Sequence, residues 1–154
     1  MKSNTINIKL QQFARMIVGI MSKVGILRWM FDKICRFSME QRVKVSHGGQ
    51  TMDFCCPNML CQWRIKTFST KEPETLDWID SIPSGSVFWD IGANMGLYSV
   101  YAAKARSCRV WAFEPSVFNL ELLARNAFLN NLVGDICIVP IALNDRTAAN
   151  RLFM

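Results

Sequence analysis

The turn that follows the apolar segment starting at Val87 constrains the fold of this chain more than any other feature. Three apolar residues lead to Asp90, and Gly92 and Gly96 then separate this segment from a helical stretch that ends near Arg106. A strand, a glycine turn and a helix in succession are typical of α/β proteins, whose ligands bind at the carboxyl ends of parallel strands. The turn therefore predicts both a sheet and a ligand site.

The same alternation continues downstream of this turn. A second apolar strand is predicted over residues 110–113, a helix capped by Ser116 follows it, and a third apolar strand covers residues 136–139. Continuous apolar strands that alternate with helices indicate a parallel sheet buried on both faces. We therefore expect an α/β fold.

Acidic residues close two successive strands, Asp90 after the first and Glu114 after the second. A carboxylate can accept hydrogen bonds from both vicinal hydroxyls of a ribose. Gly92 and Gly96 do not give the G-x-G-x-x-G spacing that dinucleotide binding requires, which disfavours a nicotinamide-dependent oxidoreductase. A nucleoside without pyrophosphate fits better, and the cationic S-adenosylmethionine suits a turn that carries Asp90. Taken singly, each acid could instead be a surface carboxylate or a helix cap.

The chain resembles the FkbM-type S-adenosylmethionine-dependent methyltransferases over residues 68–154. The resemblance is carried by Asp90-Ile91-Gly92-Ala93-Asn94-Met95-Gly96 within residues 88–99, by Ala112-Phe113-Glu114-Pro115, by Asn119, Leu120, Leu123, Asn126 and Asn130, by Ala142-Leu143-Asn144-Asp145 and by Lys71-Glu72-Pro73-Glu74-Thr75. It implies the first half of a class I Rossmann-like sheet, to which the helical amino-terminal extension predicted from apolar spacing is added. It also implies methyl transfer to a hydroxyl oxygen of a sugar, glycolipid or natural product.

The resemblance assigns the cofactor site by position. The predicted residues are Asp90, Gly92, Ala93, Asn94 and Gly96 on the methionine side, Glu114 at the ribose, and the turn from Ala142 to Asp145 near the adenine. The class I sheet has about seven strands, and the sequence ends shortly after the third. We therefore expect a truncated domain with little or no turnover by itself, and we assign no catalytic base. A non-catalytic module that binds a nucleoside or a partner is the alternative.

Three regions are predicted along the chain. Residues 1–40 form a basic amphipathic helical extension, residues 41–68 a small antiparallel element, and residues 69–154 the amino-terminal half of the methyltransferase domain. A short helix within residues 70–79, which offer an N-cap candidate and early acids, is expected to precede the first parallel strand.

Charge is concentrated at the amino terminus. The whole chain carries a net charge of +6, and residues 1–40 hold seven basic and two acidic residues among apolar residues at helical spacing. The charges interrupt any run long enough to span a membrane, so we expect a peripheral membrane contact, or else a helix packed on other residues. The remainder lacks a basic stripe with interleaved aromatics, which predicts that the protein has no nucleic-acid partner. The charges of residues 1–40 also fit badly with a secretory signal, so we expect a cytoplasmic location.

The six cysteines are expected to be reduced thiols. Cys55, Cys56 and Cys61 cluster, but they lack paired C-x2-C spacing, and His47 is the single histidine. We therefore predict buried or half-buried thiols rather than a metal site.

Overall fold

The structure, a computed structural model, describes the backbone of residues 2–144 and the side chains of residue 8 and residues 11–144. The chain divides into two compact units, Met1–Glu40 and Gln41–Met154. The three predicted regions stay a prediction.

The first unit consists of the helices α1 (Lys2–Met21) and α2 (Gly25–Glu40). Helix α2 has no buried residue, and apolar side chains such as Trp29 and Phe37 are exposed. No helix among the described residues is both long and apolar enough to cross a membrane. The membrane-surface contact and the cytoplasmic location stay predictions.

The second unit begins with a hairpin of β1 (Arg42–His47) and β2 (Gln50–Cys55), paired antiparallel. Gly48 and Gly49 both have positive φ, at 54° and 76°, as a two-residue hairpin turn of type I′ requires. The helix α3 (Met59–Lys66) follows, and its N-terminus is capped by Asn58. This helix was not predicted, because residues 41–68 were expected to form an antiparallel element alone.

Two short helices precede the parallel sheet, α4 (Phe68–Lys71) and α5 (Pro73–Ser81). The predicted short helix is observed as α5, but its start differs from the beginning of the predicted segment, because the helix begins at Pro73 with Glu72 as its N-cap. Proline has no N–H and a fixed φ, so it can start a helix but not continue the preceding one.

Three parallel strands form the sheet, in the order β3-β4-β5. The strands are β3 (Val87–Ile91), β4 (Arg109–Phe113) and β5 (Ile136–Val139), and the helices between them are α6 (Leu97–Arg106) and α7 (Val117–Leu129). Each crossover adds its strand outside the previous one, as in one half of a Rossmann-like sheet. The predicted α/β fold class is confirmed.

The sheet is buried on one face only in the described part of the chain. Phe88 and Val110 belong to the core beneath α6, whereas Val87, Trp89 and Ile91 are 54%, 58% and 64% exposed. The prediction of burial on both faces is wrong here, because the described helices that contact the sheet cover only the first face.

Two buried asparagines, Asn126 in α7 and Asn130 at its C-cap, link the hairpin to α7 and to the turn after β3. The Asn126 side chain accepts a hydrogen bond from the Cys55 N–H at 2.8 Å and donates one to the Met95 carbonyl at 2.7 Å. Asn130 makes reciprocal bonds with the backbone of Asp53 at 3.0 and 2.7 Å. The turn after β3 is thereby held against the hairpin.

Candidate functional site

A cavity of about 390 Å³ lies at the carboxyl end of β3. We call its two sides the turn wall and the helical wall. The turn wall consists of Asp90, Ile91, Gly92, Ala93, Asn94, Met95, Leu97 and Tyr98, and the helical wall of Arg64, Thr67, Phe68, Lys71, Glu72 and Thr75. The volume lies within the range that small-ligand sites occupy, ~300–1,000 Å³.

The turn wall is shaped by left-handed backbone at three positions, with φ of 80° at Gly92, 53° at Asn94 and 82° at Gly96. The N–H groups of Gly92 and Ala93 both donate to the Phe113 carbonyl, at 2.9 and 3.0 Å. These bonds fix the turn to the end of β4.

The absence of a side chain has a different consequence at each of the two glycines of the turn. A Cβ at Gly92 would meet no atom within 4 Å, so that position opens onto the cavity that it lines. A Cβ at Gly96 would overlap Cδ1 of the fully buried Leu123. Gly92 leaves room for a ligand, whereas Gly96 leaves room for α7.

Asp90 is buried at the base of the turn wall, and its Oδ2 accepts a hydrogen bond from the Ser99 hydroxyl at 2.5 Å. Burial raises the pKa of Asp90, the Ser99 bonds oppose that rise, and the charge of Glu114 adds to it. A carboxylate that is costly to ionise in isolation is well placed to pair with a cationic ligand group.

Glu114 braces two turns. Its Oε2 accepts the Asn94 N–H and its Oε1 accepts the Ser116 N–H, each at 2.8 Å. Glu114 is 5% exposed, and it is not one of the residues that line the cavity described above. Each carboxylate oxygen can accept a second hydrogen bond, so these two bonds do not prevent Glu114 from binding a ribose. The contact between Glu114 and the ribose stays a prediction.

The helical wall brings charged side chains opposite the turn. Arg64 Nη1 donates to Asn94 Oδ1 at 2.6 Å. Glu72 accepts from Lys71 and from the Tyr98 hydroxyl, both at 3.1 Å, and these bonds lower its pKa. Burial, reinforced by the bond to Glu72, raises the pKa of Tyr98 to about 12.

Sequence reasoning placed part of this site. Four predicted residues line the cavity: Asp90, Gly92, Ala93 and Asn94. Gly96 is the N-cap of α6, Ala142 lies exposed beyond β5, and Asp145 lies outside the described residues. The cofactor roles of all eight residues stay predictions. Glu72 belongs to a stretch on which the resemblance rests, whereas Arg64 carried no signal in the sequence.

No family profile matches the chain. A methyltransferase of Sordaria araneosa, sdnD, is 33% identical over 67 residues, which cover 43% of this chain and 26% of that protein. The matched part thus spans about a quarter of that relative. The chain is similar in sequence to a methyltransferase.

Part of the chain is also similar to solved structures, three of which are complexes with a nucleoside or with tRNA. The Pyrococcus horikoshii TYW2 complex with MeSAdo has a TM-score of 0.49 and 15% identity, covering 66% of this chain and 36% of that one. The Methanocaldococcus jannaschii Trm5 complex with adenosine has a TM-score of 0.42 and 23% identity, covering 68% and 31%. The complex of aTrm5 with tRNALeu has a TM-score of 0.45 and 21% identity, covering 63% and 27%.

The prediction that nucleic acid is excluded as a partner is wrong, since these structures include aTrm5 in complex with tRNALeu. The prediction rested on the lack of a basic stripe in residues 41–154. Strands that bind a cofactor need not carry the acceptor surface, so their charge pattern does not decide the acceptor.

Proposed function

We propose that this chain binds S-adenosylmethionine in the cavity between the turn wall and the helical wall and serves methyl transfer. The observation that carries the proposal is the pairing of a buried acid, Asp90, with a left-handed glycine, Gly92, that opens onto the same cavity. The resemblance to FkbM-type methyltransferases supports it.

The residues present fit this cofactor. Asp90 supplies negative charge for the cationic methionine end, and Gly92 lets the backbone approach the ligand without a side chain between them. Glu114 would hold the ribose. The cofactor supplies a methyl group bound to a sulfonium cation, and the chain's contribution is to orient it, since positioning supplies much of the rate in such displacements.

The acceptor in this proposal is a hydroxyl oxygen of a sugar, glycolipid or natural product, as the FkbM resemblance implies. The matched part of the chain spans only about a quarter of the curated relative, so the activity of the whole protein belongs to the proposal. We assign no catalytic base.

Calorimetric titration with S-adenosylhomocysteine and with NAD tests the cofactor. We expect the first to bind and the second not to bind. Gly92→Val should abolish binding because it places a side chain where the ligand would lie, and circular dichroism checks that this variant, strained by the φ of 80°, is folded. Binding of NAD in preference, or normal binding by a folded Gly92→Val variant, would contradict the proposal.

The acceptor is tested by equilibrium binding in the presence of S-adenosylhomocysteine, which requires no turnover. Hydroxyl-bearing glycans and lipids are compared with tRNA. Preferential binding of a glycan or lipid supports a hydroxyl acceptor of that class, and preferential binding of tRNA contradicts it.

A further inference from the structure

The two walls of the cavity carry net charge of opposite sign, because the turn wall holds Asp90 and the helical wall holds two cations and one acid. The lining residues include two acids, Asp90 and Glu72, and two cations, Arg64 and Lys71. Lys71 is paired with Glu72 at 3.1 Å. Among the described residues, no carboxylate lies within 4.0 Å of Arg64, so its positive charge is not matched by an acid.

Arg64 is nevertheless held in place. It lies in the last turn of α3 and is partly buried, and its Nη1 donates to Asn94 Oδ1 at 2.6 Å. The same Asn94 oxygen accepts the Met95 N–H at 2.9 Å. A guanidinium has five N–H donors in a fixed plane, so one bond to Asn94 leaves donors for a further acceptor.

We propose that Arg64 binds the carboxylate of the amino-acid end of the cofactor. The inference rests on the proposed function and deepens it. S-adenosylmethionine carries a sulfonium, an ammonium and a carboxylate. Within the described part of the chain, Asp90 is an acid of the cavity that is not paired with a cation and suits the positive charge of the cofactor, and Arg64 is the unmatched cation that suits its carboxylate. A guanidinium can bind a carboxylate through two parallel hydrogen bonds, which also fixes the direction of the methionine chain.

The test compares two nucleosides that differ at this end. S-adenosylhomocysteine has the amino-acid group, and 5′-methylthioadenosine has the same adenosine and a thioether but no carboxylate. In Arg64→Gln we expect affinity for S-adenosylhomocysteine to fall about 10- to 100-fold, the range for hydrogen bonds to a charged group. Affinity for 5′-methylthioadenosine should be unchanged.

Lys66→Gln is the matched control, because Lys66 lies on the same helix, is exposed and does not line the cavity. It should bind both nucleosides as the unaltered chain does. Arg64→Lys keeps the charge but loses the planar fork, so it should weaken S-adenosylhomocysteine binding by less than Arg64→Gln. This variant also serves if Arg64→Gln does not fold.

Each outcome separates the inference from the function on which it rests. If Arg64→Gln loses affinity equally for both nucleosides, Arg64 only supports the turn through Asn94, and the inference is overturned. Unchanged binding of both would overturn it too. If the unaltered chain binds neither nucleoside, the proposed function itself fails.

Discussion

The two walls of the cavity are built in different ways. The turn wall is a continuous segment whose shape comes from left-handed backbone at Gly92, Asn94 and Gly96. The helical wall is assembled from side chains on three short helices that precede the sheet. Local sequence therefore determines the first wall, whereas the second depends on how α3, α4 and α5 pack.

The walls meet at Asn94. Its backbone N–H donates to Glu114, and its side chain accepts from Arg64. One residue of the turn thus links the ends of two strands with the helical wall. Changes in the turn should disturb the whole site, and changes in the helices should disturb one wall only.

Gly96→Ala should produce the largest effect. A Cβ there would overlap buried Leu123, and the φ of 82° is strained for any residue with a side chain. We expect unfolding free energy to fall by about 2–4 kcal/mol, from left-handed strain and overpacking together. Urea denaturation measures this.

Gly92→Ala is the matched control for Gly96→Ala, with a φ of 80° and no atom within 4 Å of its Cβ. It should lose only about 1–2 kcal/mol from left-handed strain. Equal losses in the two variants would show that packing against Leu123 does not explain Gly96.

Glu114→Gln should come next in size. The carboxylate accepts backbone N–H bonds from Asn94 and Ser116, and an amide can accept only through its oxygen. One buried N–H then loses its partner, so unfolding free energy should fall by about 1–3 kcal/mol. Glu121→Gln, at an exposed position on α7, is the comparison. If both variants unfold like the unaltered chain, Glu114 does not brace the turns.

Asp90→Asn should change how stability depends on pH. Because burial raises the pKa of Asp90, its contribution to folding is fully present below the ordinary pKa of an aspartate and is lost as pH rises through the raised value. The amide does not ionise, and its oxygen can still accept from Ser99. The unfolding free energy of the variant should equal that of the unaltered chain at acidic pH and exceed it at neutral pH. Denaturation at both pH values measures this, and a constant difference would contradict it.

Tyr98→Phe should have the smallest effect. It removes the 3.1 Å bond to Glu72, worth about 0.5–1.5 kcal/mol, and leaves the ring in place. The chain has two tyrosines, and the pKa of both is raised, that of Tyr98 to about 12. Phenolate absorbance near pH 12 should therefore disappear from the folded variant. Its persistence would place the titration on Tyr101 instead.

The sequence predicted the parts of the fold that depend on local pattern. Three apolar runs predicted the three parallel strands, and the turn at Asp90 predicted a ligand site where the cavity lies, at the end of β3. Helix α3 was missed because its apolar residues lie on no single face: Leu60 and Trp63 are exposed while Ile65 is buried. Arg64 was missed with it, since only folding brings residue 64 beside residue 94.

Burial was the least predictable property of the sheet. Trp89 and Trp111 are paired across β3 and β4 and are 58% and 44% exposed. Their apolar character indicated a covered face, but a strand's own sequence does not reveal which other elements lie against it. The hydrogen bonds of Glu114 could not be predicted for the same reason, because the backbone N–H groups that it accepts come from two separate turns.

Amide hydrogen exchange with and without S-adenosylhomocysteine tests the central claim most directly, because it reads both walls in one experiment. If the cofactor lies between them, its addition should slow exchange in residues 90–97 and in residues 64–75, with little change in the β1–β2 turn at residues 48–49. Protection confined to other segments, or no protection at saturating ligand, would contradict the placement of the cofactor between the two walls.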